Sequence, residues 1–168
     1  MNDVSGFLPL PERRLITTRR EYLEGMDFVV AAARRELAIF DPDLRLLELN
    51  NPDRVALLEA FLAAGRDNRL AIAVHDPDPI RLGCPRLMTL LGQHRAKIAI
   101  HRTEGDAARA QDCFVLADAE HFVRRGVAAQ SRGAIVLHDQ KEGHLMHERF
   151  AEIWQSSVMA ISATTIGL

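Results

Sequence analysis

Apolar residues recur at helical spacing in four parts of the chain. Thr18 is a plausible N-cap with Glu21 three residues later, and the apolar positions from Tyr22 to Ala33 predict a first helix that reaches about Arg35. Proline at a first helical turn and glycine after a last one bound the next two helices. The remaining helices are predicted from Pro52 to a stop at Gly65, from Pro85 to Gly92, and from Glu142 to about Val158.

Short apolar runs between these helices are typical of buried strands. Asp41-Pro42 ends the first run, because proline biases the preceding residue toward extended geometry. The predicted strands cover residues 37–40, 70–74, 97–100, 112–116 and 134–137, with residues 120–123 as a hairpin partner. Since strands and helices alternate, the pattern predicts an α/β fold with a mixed, largely parallel sheet flanked by helices.

The two ends of the chain lie outside this alternation. Pro9 and Pro11 predict an irregular N-terminal arm over residues 1–17, followed by a single domain over residues 18–168. The final stretch, SVMAISATTIGL, is apolar. It either completes an interface or covers an edge of the sheet.

Composition limits the class of protein. The chain has 168 residues, 48% of them hydrophobic and 26% charged, which suits one compact domain with its own core. A net charge of −2 argues against bulk attraction to nucleic acid or to an anionic membrane, although a local basic patch is compatible with it. Nucleic acid is therefore a partner with little support.

Nearly all the positive charge is guanidinium, because Lys97 and Lys141 are the only lysines among 21 basic residues. Guanidinium groups favour planar, bidentate contacts with carboxylate or phosphate. The arginine codons of a high-GC bacterial genome explain the same bias equally well.

Cys84 and Cys113 have no metal-type spacing and fit a reducing compartment. The first residues lack the apolar region of a signal peptide, and no apolar run approaches the roughly 20 residues that span a bilayer. We expect a cytoplasmic protein with no membrane span.

Several segments of the sequence resemble those of a known family. The phrases AARRELAIFDPDL, GRDNRLAIAVHDPD and HERFAEIWQSS resemble an opening helix and strand, a second strand with its loop, and the closing helix of the phospholipase D-like superfamily. The resemblance covers roughly Arg19 to Ser157 as one half-unit. It implies a phospholipase D-like α/β fold and a homodimer in which two half-sites face each other.

The family motif His-x-Lys-x4-Asp falls on the segment AQDCFVLADAEHFVRR. In that family the histidine acts as nucleophile or general acid, and the lysine holds phosphate oxygens. The matching register places Gln111 at the histidine, Cys113 at the lysine and Asp118 at the aspartate. A glutamine amide cannot attack phosphorus, and an uncharged cysteine cannot replace the lysine charge.

No other position restores the motif. Arg95 and Asp139 stand two residues before the lysines, so the chain contains no His-x-Lys, and of the family's Gly-Ser-x-Asn segment only Gly126 with Val127 remains. The resemblance therefore predicts a degenerate, non-catalytic member, a pseudoenzyme without cofactor.

Basic residues follow the degenerate motif. A pocket for a phosphate-containing anion is predicted there, because converging guanidinium groups hold anions by charge-assisted hydrogen bonds. Alternatively, Arg124 and Arg125 solvate a turn or pair with Asp118 and Glu120. The predicted ligand-binding residues are Gln111, Asp118, His121, Arg124, Arg125 and Arg132.

Three residues supply the competing hypothesis of a divergent phosphodiesterase or phosphoryl-transfer enzyme: His75, His121 and Cys113. Cys113 alternates with its strand neighbours as a small packed residue does, so we favour packing over nucleophilic chemistry. The prolines of VHDPDP favour a shaped loop over a metal site, and no metal is expected. A purely structural dimerisation module is the third hypothesis, and the expected partners are a second copy and either a small phosphorylated ligand or a protein.

Overall fold

The computed structural model describes residues 8–163, which form an eight-stranded mixed sheet with helices on both faces. The helices are α1 (Arg19–Ala32), α2 (Pro52–Ala64), α3 (Asp78–Gly83), α4 (Pro85–Gln93) and α5 (Gln140–Gln155). The strands are β1 (Glu12–Ile16), β2 (Glu36–Asp41), β3 (Arg69–Val74), β4 (Ile98–Thr103), β5 (Cys113–Ala117), β6 (His121–Arg125), β7 (Gly133–Leu137) and β8 (Ser157–Ile161). The predicted α/β fold with a mixed sheet flanked by helices is confirmed.

The strand order is β1-β7-β6-β5-β2-β3-β4-β8. Only β2, β3 and β4 pair in parallel, whereas the other five of the seven pairings between described strands are antiparallel. The expected preponderance of parallel pairing is therefore wrong. The connection from β5 to β6 is too short for a parallel crossover, which needs a dozen or more residues, so a hairpin forms instead.

Both ends of the sheet are strands that the sequence did not reveal as strands. Glu12–Ile16 pairs antiparallel with β7, so the predicted irregular arm is wrong for these residues. Four of the five β1 side chains are exposed, and an exposed edge strand shows no alternation of apolar and polar positions. Ser157–Ile161 pairs with β4, so this part of the apolar tail covers the edge of the sheet; residues 164–168 lie outside the described part.

Two hydrophobic clusters lie on opposite faces of the sheet. Helices α1 to α4 cover the larger cluster, whereas α5 covers the smaller one with Met146, Phe150 and Ile153. Burial of each such side chain stabilises the fold by roughly 1.5–3 kcal/mol. Leu145, another apolar residue of α5, is 53% exposed.

Local capping explains where the first two helices begin. The Thr18 side chain accepts from the Glu21 N–H, and the Glu21 carboxylate accepts from the Thr18 hydroxyl at 2.9 Å, as the capping-box spacing predicts. Asn51 accepts from the N–H groups of Asp53 and Arg54 at the start of α2. Among the described helices, none is both long and apolar enough to cross a membrane.

Candidate functional site

Arg124 and Arg132 line one open pocket of about 320 Å³, together with Arg13 from β1. We call it the arginine pocket. It lies where β1, β6 and β7 meet the start of α5, on the α5 face of the sheet. Its remaining lining residues are Leu15, Phe122, Gly126, Val127, Gln130, Gly133, Ala134, Glu142 and Met146.

The three guanidinium groups differ in how they are held. Arg13 and Arg132 are exposed and make no ion pair or side-chain hydrogen bond with any residue between 8 and 163. Arg124 is 39% exposed, and its Nη2 lies 3.2 Å from Oδ2 of Asp112. Its Nε is buried and lacks a hydrogen-bond partner within the described chain. Two of the three positive charges are therefore uncompensated.

Asp112 holds Arg124 in place. It is 3% exposed, and Arg149 of α5 holds its carboxylate with both Nε, at 2.7 Å from Oδ2, and Nη2, against Oδ1. Burial by itself would raise the pKa of Asp112, but the hydrogen bonds and charges of Arg149 and Arg124 outweigh it and lower that pKa. Asp112 thus stays ionised and fixes one side of the Arg124 guanidinium.

Neither Arg13, Asp112 nor Arg149 was predicted as a site residue. Arg13 lies in the segment that the prolines marked as irregular. Arg149 is 37 residues from Asp112 along the chain, and no local pattern links them. The only sequence signal for Asp112 was its place beside the motif positions.

Arg125 does not reach the arginine pocket, although it was predicted as a ligand residue. Successive strand residues point to opposite faces, so Arg125 faces α1 while Arg124 faces α5. Arg125 is 5% exposed, lies 4.9 Å from the centre of the Tyr22 ring and donates to the Ala128 carbonyl. The alternative prediction was that Arg124 and Arg125 pair with Asp118 and Glu120, and neither arginine forms such a pair.

Asp118 also lies outside the arginine pocket, contrary to its predicted role. Its carboxylate accepts the backbone N–H groups of Arg34, Arg35 and Glu36 at 2.7–2.9 Å. It has a left-handed backbone, with φ of 55°. These bonds end α1 earlier than the predicted Arg35 and join it to the β5–β6 turn, so Asp118 has a structural role.

Gln111, the position matched to the motif histidine, is exposed and does not line the arginine pocket. Its carbonyl accepts the Ala128 N–H at 2.6 Å, which fastens the loop after β6 to the start of β5. The prediction that its side chain joins Arg124 and Arg132 is therefore not met.

His121 lies beside Glu120 and His138, and the three side chains could offer ligand atoms to a cation. However, Nδ1 of His121 accepts the His138 backbone N–H at 3.0 Å, so a neutral ring carries its proton on Nε2. Burial lowers the pKa of His121. The ring thus has no free lone pair for a metal, and it is also absent from the arginine pocket.

The ring of His75 is engaged at both nitrogens. Nε2 lies 2.8 Å from the Ala110 carbonyl and donates to it, while Nδ1 lies 2.6 Å from the Thr103 hydroxyl, from which it accepts when the ring is neutral. Phe40 contacts the ring edge-on at 5.4 Å between centroids. His75 therefore fastens the loop after β3 to neighbouring elements, and the hydroxyl at its Nδ1 belongs to Thr103, which is buried.

Cys113 is fully buried, and its thiol accepts the Tyr22 hydroxyl at 3.5 Å. Burial raises the pKa of Cys113 to about 11, so the thiolate is scarce at neutral pH. This environment fits packing rather than nucleophilic attack.

Asp41 at the end of β2 is a further buried acid. It is 1% exposed, and its Oδ2 accepts the N–H groups of Asp43 and Leu44, whereas Oδ1 has no partner within residues 8–163. Burial raises the pKa of Asp41 to about 6. The sequence predicted a strand-to-loop turn here, and the turn is present.

The sheet order, the β5–β6 hairpin and the closing helix define a domain of phospholipase D-like fold. Nuc, a phospholipase D family member from Salmonella typhimurium, superposes with a TM-score of 0.62 at 12% identity, over 91% of this chain and 100% of Nuc. NucT from Helicobacter pylori gives a TM-score of 0.61 at 11% identity, over 90% of this chain and 100% of that chain. At such identities the likeness shows the fold alone.

TrmBL2, an archaeal chromatin protein with a novel mode of DNA binding, gives a TM-score of 0.65 at 14% identity. The match covers 94% of this chain but 57% of TrmBL2, so the chain spans little more than half of that protein. The chain belongs to the family described as "Domain of unknown function (DUF7931)", whose sequence model matches residues 18–163. No curated protein matches the chain significantly in sequence.

Proposed function

We propose that this chain is a non-catalytic phospholipase D-like domain that binds a small phosphate-containing anion in the arginine pocket. The convergence of Arg13, Arg124 and Arg132 on one cavity carries the proposal. Three guanidinium groups from separate parts of the chain can surround a phosphate with charge-assisted, bidentate hydrogen bonds.

The pocket is suited to binding because part of it is fixed before a ligand arrives. Asp112 and Arg149 hold Arg124 in place, and the exposed Arg13 and Arg132 are free to close on an anion. A preset group loses less side-chain entropy on binding than a mobile one.

The competing hypothesis of a divergent enzyme has less support in the geometry. A backbone N–H occupies the Nδ1 lone pair of His121, the hydroxyl that contacts Nδ1 of His75 belongs to the buried Thr103, and the buried thiol of Cys113 has a raised pKa. Phosphodiesterase assays on the wild-type chain and on His75→Ala, His121→Ala and Cys113→Ser would test it. Hydrolysis that one of these substitutions abolishes would favour the enzyme.

A small ligand fits better than nucleic acid. Nucleic-acid binding draws its affinity from several phosphate contacts along a basic surface. This chain has a net charge of −2, and the three converging arginines line one pocket of about 320 Å³. Although TrmBL2 is described as a DNA-binding protein, the DNA-binding property is not assigned to this chain.

Calorimetric titration with inorganic phosphate and with n-butyl phosphate tests the proposal. We expect Arg132→Gln to weaken binding at least about tenfold, because a charged hydrogen bond contributes on the order of 1.5–3 kcal/mol. Arg66→Gln is the matched control, since Arg66 is an exposed loop arginine that does not line the pocket. Absence of binding, or equal losses in both variants, would contradict an anion site in the arginine pocket.

A further inference from the structure

Glu142 gives the arginine pocket a second, opposite charge. It lies in the first turn of α5, is half-buried, and is the only acidic residue among those lining the pocket. Its backbone N–H donates to Asp139, but within residues 8–163 its carboxylate forms no ion pair. The pocket therefore holds a carboxylate and three guanidinium groups without joining them.

This separation of charge is informative. A half-buried carboxylate loses part of its hydration, and a nearby guanidinium would normally compensate by pairing with it. Here Arg124 pairs with Asp112 instead, and Arg13 and Arg132 remain without an acidic partner among the described residues. A ligand with both a negative and a positive end would pair with the guanidinium groups and with the Glu142 carboxylate at once.

The arginine pocket also has apolar lining residues. Leu15, Phe122, Val127 and Met146 line the same cavity. A short hydrocarbon spacer would contact these side chains, whereas a second phosphate would meet both apolar surface and the Glu142 charge. The pocket is thus poorly suited to polyphosphates.

We propose that the arginine pocket selects a small phosphate monoester that also carries an amino group. The phosphate lies against Arg13, Arg124 and Arg132, and the ammonium lies against Glu142. The inference rests on the proposed anion-binding function and names its ligand class. The pocket is on the opposite face of β5 and β6 from Cys113, the residue matched to the motif lysine, and is thus separate from the motif position.

A matched pair of ligands tests the inference directly. The probe is 3-aminopropyl phosphate, and n-butyl phosphate replaces its ammonium with a methyl group of similar size. By calorimetry at low salt, we expect the wild-type chain to bind the amino compound about fivefold more tightly, as a partly screened ion pair allows. Equal affinity for the two compounds, or preference for the butyl ester, would overturn the inference.

The variant Glu142→Gln tests whether the Glu142 carboxylate causes this preference. It should bind both compounds equally, while Glu148→Gln, an exposed acid on the same helix, should keep the wild-type preference. Retained preference in Glu142→Gln would also overturn the inference. Equal, tight binding of both compounds by the wild-type chain would leave the anion site standing, whereas no binding of either would contradict the proposed function itself.

Discussion

At the scale of single residues, buried acids divide into two kinds. Asp112 has two guanidinium partners and a lowered pKa, whereas Asp41 has only backbone donors on one oxygen and a raised pKa. Removal of one partner from a buried ion pair is costly because the other charge stays behind. The charge of Asp112 is thus compensated by its guanidinium partners, whereas the charge of Asp41 destabilises the fold at neutral pH.

The pH dependence of stability should reveal Asp41. Its pKa in the folded state is about 6, above the usual value of 3.8. Between those values the folded chain binds more protons than the unfolded chain, so the stabilising effect of protonation is complete below about pH 4 and is lost as the pH rises through about 6. Asp41→Asn should remove this fall and raise the free energy of unfolding at pH 7 by up to about 3 kcal/mol.

Urea unfolding of the Asp41→Asn and wild-type chains at pH values from 5 to 8 measures this difference. Asp67→Asn, at an exposed loop position between α2 and β3, serves as the control. A difference between Asp41→Asn and wild type that does not change with pH would refute the argument.

At the scale of elements, the β5–β6 turn contacts both the end of α1 and the start of α5. Asp118 of this turn caps the residues after α1, and the Asp139 N–H donates to the Glu120 carbonyl just before α5. Gly143 of α5 contacts the same turn, and a Cβ there would collide with the Ala119 carbonyl. The close approach of α5 therefore requires glycine at this position.

Replacement of Gly143 tests that contact. Gly143→Ala should lower the free energy of unfolding by about 1–3 kcal/mol or more, because the helix must shift away from backbone atoms. Gly92→Ala in α4 is a close control, since its Cβ would meet no atom within 4 Å and alanine favours a helix. If both variants gain stability in urea unfolding, the inferred close contact of α5 with the turn is wrong.

The elements that the sequence predicted are those whose signals are local. The Thr18 cap with Glu21 three residues later predicted the start of α1, and Pro52 in a first helical turn predicted the start of α2. By contrast, β1 is an edge strand whose exposed residues have no periodic pattern. The ion pair of Asp112 with Arg149 depends on how α5 crosses the sheet, which spacing along the chain does not encode.

At the scale of the whole molecule, the arginine pocket joins distant parts of the chain. Arg13 comes from the first strand, Arg124 and Arg132 come from β6 and the loop after it, and Glu142 comes from the last helix. The sequence predicted two of these residues, Arg124 and Arg132, because they lie near the motif. It could not predict the other two, because only the folded sheet brings β1 and α5 beside them.

Removal of residues 1–17 tests the contribution of β1. The shortened chain keeps the family-matched residues 18–163 but lacks Arg13, so its affinity for n-butyl phosphate should fall about tenfold or more. Removal of residues 1–7, which leaves β1 intact, should keep the affinity. Circular dichroism of the shortened chain and the single variant Arg13→Gln separate loss of the guanidinium from loss of the strand. Unchanged affinity in both the chain without residues 1–17 and Arg13→Gln would contradict a role for Arg13.

The position of Arg13 outside the family-matched residues has a consequence for comparing relatives. A relative could share residues 18–163 in outline and differ in the strand that precedes them, and it would then present a different charge at the rim of the pocket. Under the proposed function, such a relative would prefer a different ligand although its core was the same, so a function inferred from the matched segment alone would not transfer to it.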